Sequence, residues 1–285
     1  MSSDWSEWKA LGADSFSEVP QEPGLYRIRH RSEERNHLEY IGESSDTRRR
    51  IQSLARGVYA EEMPYRDPHT AAPCLWAVRD DIGPALEVSY TTPSKAKNEQ
   101  HRKGLEMTLI ALHRRETNQS PTGNFGRIIE GYRMSSFTYN DPAYKGGHLE
   151  SGEEEPNSAS GIEPLNWHNW REPLARDWMN LNWSEPYHLE ERLNAGPLDT
   201  GVYRIWYQKQ DSTLAYIGES SNISSRLYNH EKTFGEDALF AYAEESDLDA
   251  SHKRKEIETD LIGAYYLVNG EAPLAQFGHT ENVPP

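Results

Sequence analysis

Cysteine and long apolar runs are nearly absent from this sequence. Cys74 is the single cysteine among 285 residues, which excludes an intramolecular disulfide framework and a cysteine-based metal site. The mean hydropathy is −0.88, and no apolar run reaches the roughly 18 residues of a membrane-spanning helix, so we expect no membrane partner. The first residues resemble no secretory signal, and we therefore expect a cytoplasmic protein.

Several catalytic signatures are absent as well. The sequence has no Gly-x-x-x-x-Gly-Lys-Ser/Thr loop for nucleotide phosphates and no Gly-x-Ser-x-Gly turn for a nucleophilic serine. Its 11 histidines do not include the His-Glu-x-x-His spacing of a zinc protease. These absences argue against an ATP motor, a serine hydrolase of that type and a zinc protease.

The sequence does contain an internal repeat. The segment Tyr-Ile-Gly-Glu-Ser-Ser occurs unchanged at 40–45 and at 216–221. Upstream of it, Gly-Leu-Tyr-Arg-Ile at 24–28 corresponds to Gly-Val-Tyr-Arg-Ile at 201–205. A repeat of this kind indicates two related structural units in one chain.

The correspondence continues downstream with an arginine ten residues after the repeated tyrosine and with a later glutamate. These residues are Arg50 and Glu106 in the first repeat and Arg226 and Glu258 in the second. We interpret the chain as a tandem duplication, with copy 1 at residues 5–133 and copy 2 at residues 183–280. Copy 1 carries about 24 extra residues between its arginine and its glutamate.

Both copies predict the same order of elements, which gives an α+β fold. Aromatic and β-branched runs predict three strands in each copy, at 24–30, 38–41 and 86–91 and at 201–208, 214–217 and 239–243. Ser, Asp and Asn after the second strand predict helix N-caps, and longer helices are predicted at 95–115 and 251–268. The extra residues of copy 1, an insertion around 57–85, predict an added strand at 74–78.

The segment between the copies, residues 134–182, has a different composition. Residues 145–161 are rich in Gly, Ser and Glu, which predicts a flexible acidic linker. Four tryptophans follow, at 167, 170, 178 and 183. Packing of these rings in a core is favoured over stacking on nucleic-acid bases, because aromatic clusters are mostly structural. The expected domains are therefore 1–133, the connector 134–182 and 183–285.

The spaced set Gly-Leu-Tyr, Tyr-Ile-Gly, Arg, Glu and Asn resembles the GIY-YIG nuclease family, and it does so twice. The resemblance covers most of the chain. It implies that each copy is a small three-stranded antiparallel sheet flanked by helices. It also implies that the protein cuts phosphodiester bonds with one divalent metal ion, Mg²⁺ or Mn²⁺.

The resemblance also assigns roles to individual residues. Tyr26 or Tyr203 would activate water, and Tyr40 or Tyr216 would help to orient the site. Arginine can pair with a phosphate in a fork geometry, and a glutamate is a hard-oxygen ligand for Mg²⁺. The predicted catalytic residues are Tyr26, Tyr40, Arg50, Glu106, Asn124, Tyr203, Tyr216, Arg226, His230 and Glu258, with Glu106 and Glu258 as metal ligands.

Each copy departs from the family pattern at one accessory position. Many members have His or Tyr four residues after the arginine, on the same helical face. Copy 2 has His230 there, whereas copy 1 has Leu54, which cannot carry a proton. The family's Asn is Asn124 in copy 1, but copy 2 has Gln276. The motifs therefore leave open whether one copy or both copies cut.

Charge is distributed unevenly along the chain. The net charge is −16, yet copy 1 holds 19 basic and 19 acidic residues while copy 2 holds 8 and 17. A phosphate-binding surface is therefore expected mostly on copy 1. The candidate nucleic-acid-binding residues are Arg29, Arg31, Arg48, Arg49, Arg102 and Lys103.

Three functional hypotheses follow. The first is a metal-dependent DNA endonuclease, related to restriction or defence, which acts on double-stranded DNA and in one version only on modified DNA. The second keeps one active copy, in which copy 1 cuts and copy 2 is a structural or modified-base-sensing module. The third is a non-catalytic nucleic-acid-binding protein. The sequence leaves the oligomeric state open, although two copies in one chain form an internal pseudo-dimer.

Overall fold

The structure is a computed structural model. It describes residues 4–13, 15–32, 35, 37–138, 143–158, 160–196, 198–208, 213–235, 237–245 and 247–279. The chain divides into two compact units. Unit 1 comprises residues 1–102 and 120–161, and unit 2 comprises residues 103–119 and 162–285. Within the described ranges, no helix is long and apolar enough to cross a membrane.

Unit 1 is built on an antiparallel sheet with helices packed beside it. Its elements in chain order are β1 (Lys9–Ala10), β2 (Gly24–His30), β3 (Leu38–Ser44), α1 (Thr47–Val58), α2 (Ala72–Ile82), β4 (Leu86–Thr91), the start of α3 (Glu99–Thr117), β5 (Tyr132–Arg133) and β6 (Gly147–His148). The strand order of the main sheet is β1-β4-β2-β3, and β5 pairs with β6. Buried apolar residues of β2, α1 and α2 form the core.

Unit 2 has a sheet of the same design. Its elements after α3 are β7 (Tyr187–His188), β8 (Gly201–Tyr207), β9 (Leu214–Ser220), α4 (Ile223–Phe234), β10 (Ala238–Ala243) and α5 (Ser251–Asn269). The strand order is β7-β10-β8-β9, and all of these pairs are antiparallel. The repeated segments lie in register, because Tyr26 pairs with Gly42 in unit 1 and Tyr203 pairs with Gly218 in unit 2.

The mixed α+β class with antiparallel sheets is therefore present, and each sheet has the three expected strands. A fourth strand of two residues was not expected in either sheet. β1 and β7 come from the residues that precede each Gly-x-Tyr segment, and they extend the edge strands β4 and β10. Two-residue pairings have no alternation of apolar and polar residues, so the sequence pattern could not reveal them.

The strand predicted at 74–78 is wrong, because this segment belongs to helix α2. A short apolar run does not distinguish a buried strand from a buried helix. Ala and Leu favour the helix here, and Pro73 is tolerated because it lies in the first helical turn. The helix packs closely on α1, where a Cβ atom at Gly57 would lie 3.0 Å from the Ala72 Cβ atom.

Residues 145–158 are not a free linker. They bond to unit 1, since the Ser135 side chain accepts the Gly146 N–H and the Asn157 carbonyl accepts the Ile128 N–H. The sequence prediction missed these bonds because their partners lie in a segment without regular periodicity. Ala159 of the expected linker and residues 280–285 of the second expected domain lie outside the described residues.

The expectation that tryptophans pack is confirmed for Trp178 and Trp183. Both are fully buried in unit 2, with ring centroids 5.8 Å apart. The Arg204 guanidinium lies 4.2 Å from the Trp183 ring centroid, and burial lowers the pKa of Arg204 to about 9. Trp167 and Trp170 are partly buried against the same core. The rings of Trp178 and Trp183 therefore lie against the side chain of Arg204 on strand β8.

Helices α3 and α5 are in close contact within unit 2. A Cβ atom at Gly263 would lie 2.6 Å from the Ala111 Cβ atom. Beside this contact, the fully buried Arg114 donates to Asp260 at 2.9 Å and lies 3.5 Å from Glu256. A buried arginine between two buried carboxylates is a network in which each charge needs its partner.

We expect Arg114→Ala to lower the free energy of unfolding by about 3–5 kcal/mol, because it leaves two carboxylates buried without their cation. Arg115→Ala is the matched control, since Arg115 is exposed and lies 4.6 Å from the Trp167 ring centroid. We expect the control to cost about 1 kcal/mol or less. Denaturant unfolding followed by tryptophan fluorescence measures both, and equal losses would contradict the buried network.

Candidate active site

The two glycines of the repeated segment make room for tyrosine rings. Gly218 faces Tyr203 across the β8–β9 pair, and a Cβ atom at Gly218 would lie 2.5 Å from the Tyr203 hydroxyl oxygen. In unit 1 a Cβ atom at Gly42 would lie 2.7 Å from the Tyr26 hydroxyl oxygen. No other residue type leaves this space, so glycine fixes where each hydroxyl lies.

The second tyrosine of each repeat lies beside the first. The ring centroids of Tyr203 and Tyr216 are 6.0 Å apart, and those of Tyr26 and Tyr40 are 5.9 Å apart. Tyr26, Tyr203 and Tyr40 are buried, whereas Tyr216 is half-buried. Each sheet therefore presents a tyrosine pair at one place on its surface.

Helix α4 brings two more predicted residues to the tyrosine pair of unit 2. The Asn222 side chain caps the helix by accepting the Ser225 N–H at 2.8 Å, which is a favourable N-cap interaction. Arg226 lies one turn further on, beside the Tyr203 hydroxyl, and is exposed. One turn later, His230 Nε2 lies 2.8 Å from the Tyr203 hydroxyl oxygen.

Glu258 on α5 completes this group. It is half-buried, and burial together with the Glu219 carboxylate raises the pKa of Glu258 to about 8. Burial and the Tyr216 hydroxyl raise the pKa of Tyr203, while Arg226 acts in the opposite direction. Unit 2 thus brings Tyr203, Tyr216, Arg226, His230 and Glu258 into one electrostatically coupled group.

Unit 1 contains a corresponding group with one unexpected member. Tyr26, Tyr40 and Arg50 lie together, and His69 joins them from the insertion of copy 1. His69 Nε2 is 2.6 Å from the Tyr26 hydroxyl oxygen, and its ring centroid is 5.4 Å from that of Tyr40. Arg50 Nη1 donates to the Pro68 carbonyl at 2.7 Å. His69 therefore supplies an imidazole that α1 does not carry four residues after its arginine.

Helix α2 explains why His69 replaces a histidine on α1. Leu54 occupies the position on α1 that His230 occupies on α4, four residues after the arginine. Leu54 is fully buried in the core that includes Leu75 and Val78 of α2. A histidine there would lie in an apolar environment, and the imidazole comes instead from the loop before α2. The motif spacing does not reveal His69, because it lies 19 residues after Arg50 rather than four.

Asn124 and Gln276 hold the strand that carries the second tyrosine. The Asn124 amide accepts the Ile41 N–H at 3.0 Å and donates to the Ile41 carbonyl at 2.9 Å. The Gln276 amide makes the same two bonds with Ile217, at 3.1 Å and 3.0 Å. Both amides are buried. The change from Asn to Gln therefore preserves this contact, and both residues position a strand.

Arg102 does not have the surroundings of a phosphate-binding residue. It is buried, forms an ion pair with Glu43 and donates to the Ala96 carbonyl at 3.0 Å. Arg254 makes the equivalent pair with Glu219 at 2.8 Å. The repeat contained a signal for both pairs, because the glutamate after Tyr-Ile-Gly and an Arg-x-x-x-Glu spacing occur in each copy.

The other candidate nucleic-acid-binding residues have three kinds of surroundings. Arg29 pairs with Glu87 at 2.8 Å, and Arg48 donates to the Ser17 carbonyl at 2.8 Å. Arg31 and Arg49 are exposed. Lys103 is half-buried in unit 2, 5.8 Å from the Phe277 ring centroid. The exposed pair Arg31 and Arg49 is therefore the more accessible part of the predicted surface.

The two candidate metal ligands lie on the long helices. Glu106 is half-buried in the part of α3 that belongs to unit 2. Among the residues described, no group of three or more His, Cys, Asp or Glu side chains could hold a metal ion. A single carboxylate such as Glu258 fits Mg²⁺, which keeps several waters and is often held by one or two carboxylates together with substrate phosphates.

Comparison with models of protein families and with curated proteins finds no match for this chain. The geometry of the two groups therefore carries the functional argument.

The buried His69 predicts a loss of stability in acid. Burial, with the positive charge of Arg50, lowers the pKa of His69 from 6.5 to about 3. The unfolded chain therefore takes up a proton first as the pH falls. The stability that the neutral His69 contributes is fully present above pH 6.5 and is lost as the pH falls towards 3. In this range the free energy of unfolding falls by about 1.4 kcal/mol per pH unit.

Between pH 6.5 and 3, we expect the free energy of unfolding of the His69→Gln protein to depend less steeply on pH than that of the unmodified protein. Denaturant unfolding at each pH measures both. His148→Gln is the control, because His148 is exposed beside Asp80. If His69→Gln and His148→Gln give the same pH dependence, His69 is not held neutral by the fold.

Proposed function

We propose that this chain is a metal-dependent endonuclease of the GIY-YIG kind, which hydrolyses phosphodiester bonds in DNA. The observation that carries the proposal is the convergence of two tyrosines, an arginine, a histidine and a glutamate in unit 2. These five side chains come from four separate elements, β8, β9, α4 and α5, and they meet in one group. The matching sheet order and register of the two units support a tandem duplication of this domain.

Phosphodiester hydrolysis needs a deprotonated water, neutralised phosphate charge and a stabilised leaving oxygen. Arg226 is exposed beside the tyrosine hydroxyl, where its guanidinium can pair with a phosphate. Tyr203, held by His230 at 2.8 Å, is the group placed to take a proton from water. Because its pKa is raised by burial, it needs added positive charge to do so.

Glu258 would hold the metal ion in unit 2. Its raised pKa of about 8 means that the carboxylate is disfavoured as long as no cation compensates its burial. A bound Mg²⁺ supplies positive charge that favours ionised groups and stabilises the oxygens of the phosphate. Arg226 already acts in this direction on Glu258, so the charges of the group suit a cation-dependent reaction.

The corresponding tyrosine pair, arginine and histidine in unit 1 support a second site in the same chain. Two linked sites could address the two strands of double-stranded DNA without another subunit. A role in restriction or defence, dependence on modified DNA and a cytoplasmic location stay predictions of the sequence. The exposed Arg31 and Arg49 are the proposed phosphate contacts of copy 1.

A pocket beside His69 supports a second candidate function, in which the two copies have different roles. It has a volume of about 440 Å³, and the residues that line it include Arg56, Tyr65, Asp67 and His69. Most of its lining comes from the insertion, which copy 2 lacks. An aromatic ring with charged neighbours is the kind of surface that can bind an extruded base. Copy 1 would then read a base and copy 2 would cut.

Cleavage of supercoiled plasmid with Mg²⁺ tests the proposal, on unmodified DNA and on DNA with modified cytosines. We expect Tyr203→Phe to lower the rate at which linear plasmid forms by about 10²–10⁴-fold, which is what loss of a general base typically costs. Tyr228→Phe is the matched control, since Tyr228 is exposed on α4. We expect it to cut at the unmodified rate.

Tyr26→Phe separates the two candidates. If both copies cut, each of the two tyrosine variants leaves nicked plasmid. If copy 1 only reads a base, Tyr203→Phe abolishes cutting of both strands and Tyr26→Phe does not. Folded protein that binds DNA but cuts no substrate with Mg²⁺ or Mn²⁺ would overturn the nuclease proposal in favour of a binding protein.

A further inference from the structure

We propose that the insertion of copy 1 supplies, through His69, the imidazole that α1 lacks, and that His69 is a fixed hydrogen-bond donor to the Tyr26 hydroxyl oxygen. His69 is then a positioning residue for Tyr26. This inference rests on the proposed function, because it assigns Tyr26 a role in hydrolysis. It goes beyond that function by assigning the site of the proton on one histidine.

The tautomer of His69 follows from its hydrogen bonds. His69 Nδ1 lies 3.2 Å from the Ala71 backbone nitrogen, whose N–H donates to it. A ring nitrogen that accepts an N–H carries no proton itself. The single proton of the neutral imidazole is therefore on Nε2, the atom 2.6 Å from the Tyr26 hydroxyl oxygen. His69 donates this bond and Tyr26 accepts it.

The surroundings of His69 keep it neutral. His69 is 1% exposed, and among the described residues three groups contact its ring or act on its charge. They are Tyr26 from β2, Tyr40 from β3 and the Arg50 guanidinium from α1. None of these three groups is an anion at neutral pH that would stabilise an imidazolium, and the positive Arg50 opposes its formation. Its low pKa agrees with this arrangement.

A donated hydrogen bond affects the chemistry of Tyr26. Donation to a phenolic oxygen favours the deprotonated form over the neutral one. A His69 that carries its proton on Nε2 cannot accept the Tyr26 proton, so it is not the base that ionises Tyr26. It lowers the cost of the phenolate and holds the ring in place. His230 faces Tyr203 at 2.8 Å, so the two units place an imidazole at corresponding tyrosine hydroxyls from different chain positions.

Nuclear magnetic resonance of ¹⁵N-histidine-labelled full-length protein tests the tautomer without any activity measurement. The signal of His69 is the one that His69→Gln removes. We expect an unprotonated Nδ1 and a protonated Nε2 throughout the range from pH 8 to about 5, because His69 titrates only near pH 3. A proton on Nδ1, or titration near the ordinary pKa of 6.5, would overturn the inference.

A pH–rate profile tests the role, in a Tyr203→Phe background where only copy 1 can cut. We expect His69→Ala to shift the rising limb of the kcat profile to higher pH by about one to two units, the value of a hydrogen bond to a charged group. His69→Gln should recover part of the shift, since its amide can donate to Tyr26. KM should stay unchanged in both variants.

His148→Ala is the control, because this exposed histidine pairs with Asp80 and belongs to neither tyrosine group. If His69→Ala and His69→Gln lower kcat equally and do not shift the pH–rate profile, the role of His69 is only structural. If the Tyr203→Phe protein cuts neither strand, copy 1 has no working site, and the proposed role of His69 in hydrolysis is wrong. If the unmodified protein cuts no DNA, the nuclease proposal fails, and the resonance experiment still decides the tautomer.

Discussion

The close approach of a tyrosine hydroxyl to a glycine is the constraint on which both candidate sites depend. Tyr203 crosses Gly218 on the neighbouring strand, where a Cβ atom would lie 2.5 Å from the hydroxyl oxygen. The strand register fixes this crossing, and the buried amide of Gln276 fixes the strand by bonding both polar groups of Ile217. The arginine, histidine and glutamate are arranged around an oxygen whose place the backbone has already determined.

The two units place an imidazole beside the tyrosine hydroxyl from different chain segments. In unit 2, helix α4 is free to present His230 to the tyrosine. In unit 1, helix α2 covers the corresponding face of α1, so Leu54 belongs to the core and the loop before α2 supplies His69. The difference follows from packing, because one helical face cannot both bury leucine against a neighbour and offer an imidazole to the site.

The arginines of this chain divide into those that form ion pairs inside the fold and those that are exposed. Several arginines form ion pairs inside the fold, and they include Arg102 from the predicted phosphate-binding set. Arg102 and Arg254 each pair with the glutamate after Tyr-Ile-Gly, and Arg114 neutralises Asp260. Pairs of this kind lower the cost of burying a carboxylate. The net charge of −16 therefore says less about partners than the few arginines that remain exposed.

The sequence by itself determined the repeat, the antiparallel hairpins, the helix N-caps and the spacing of the tyrosine, arginine and glutamate positions, because these are local patterns. The structure then placed the unit 2 set together. Only the tertiary structure decided that 74–78 is helical, that Gln276 makes the same two backbone bonds as Asn124, and that His69 meets Tyr26. Each of these depends on contacts between segments distant in the chain, and no local pattern encodes which buried face meets which neighbour.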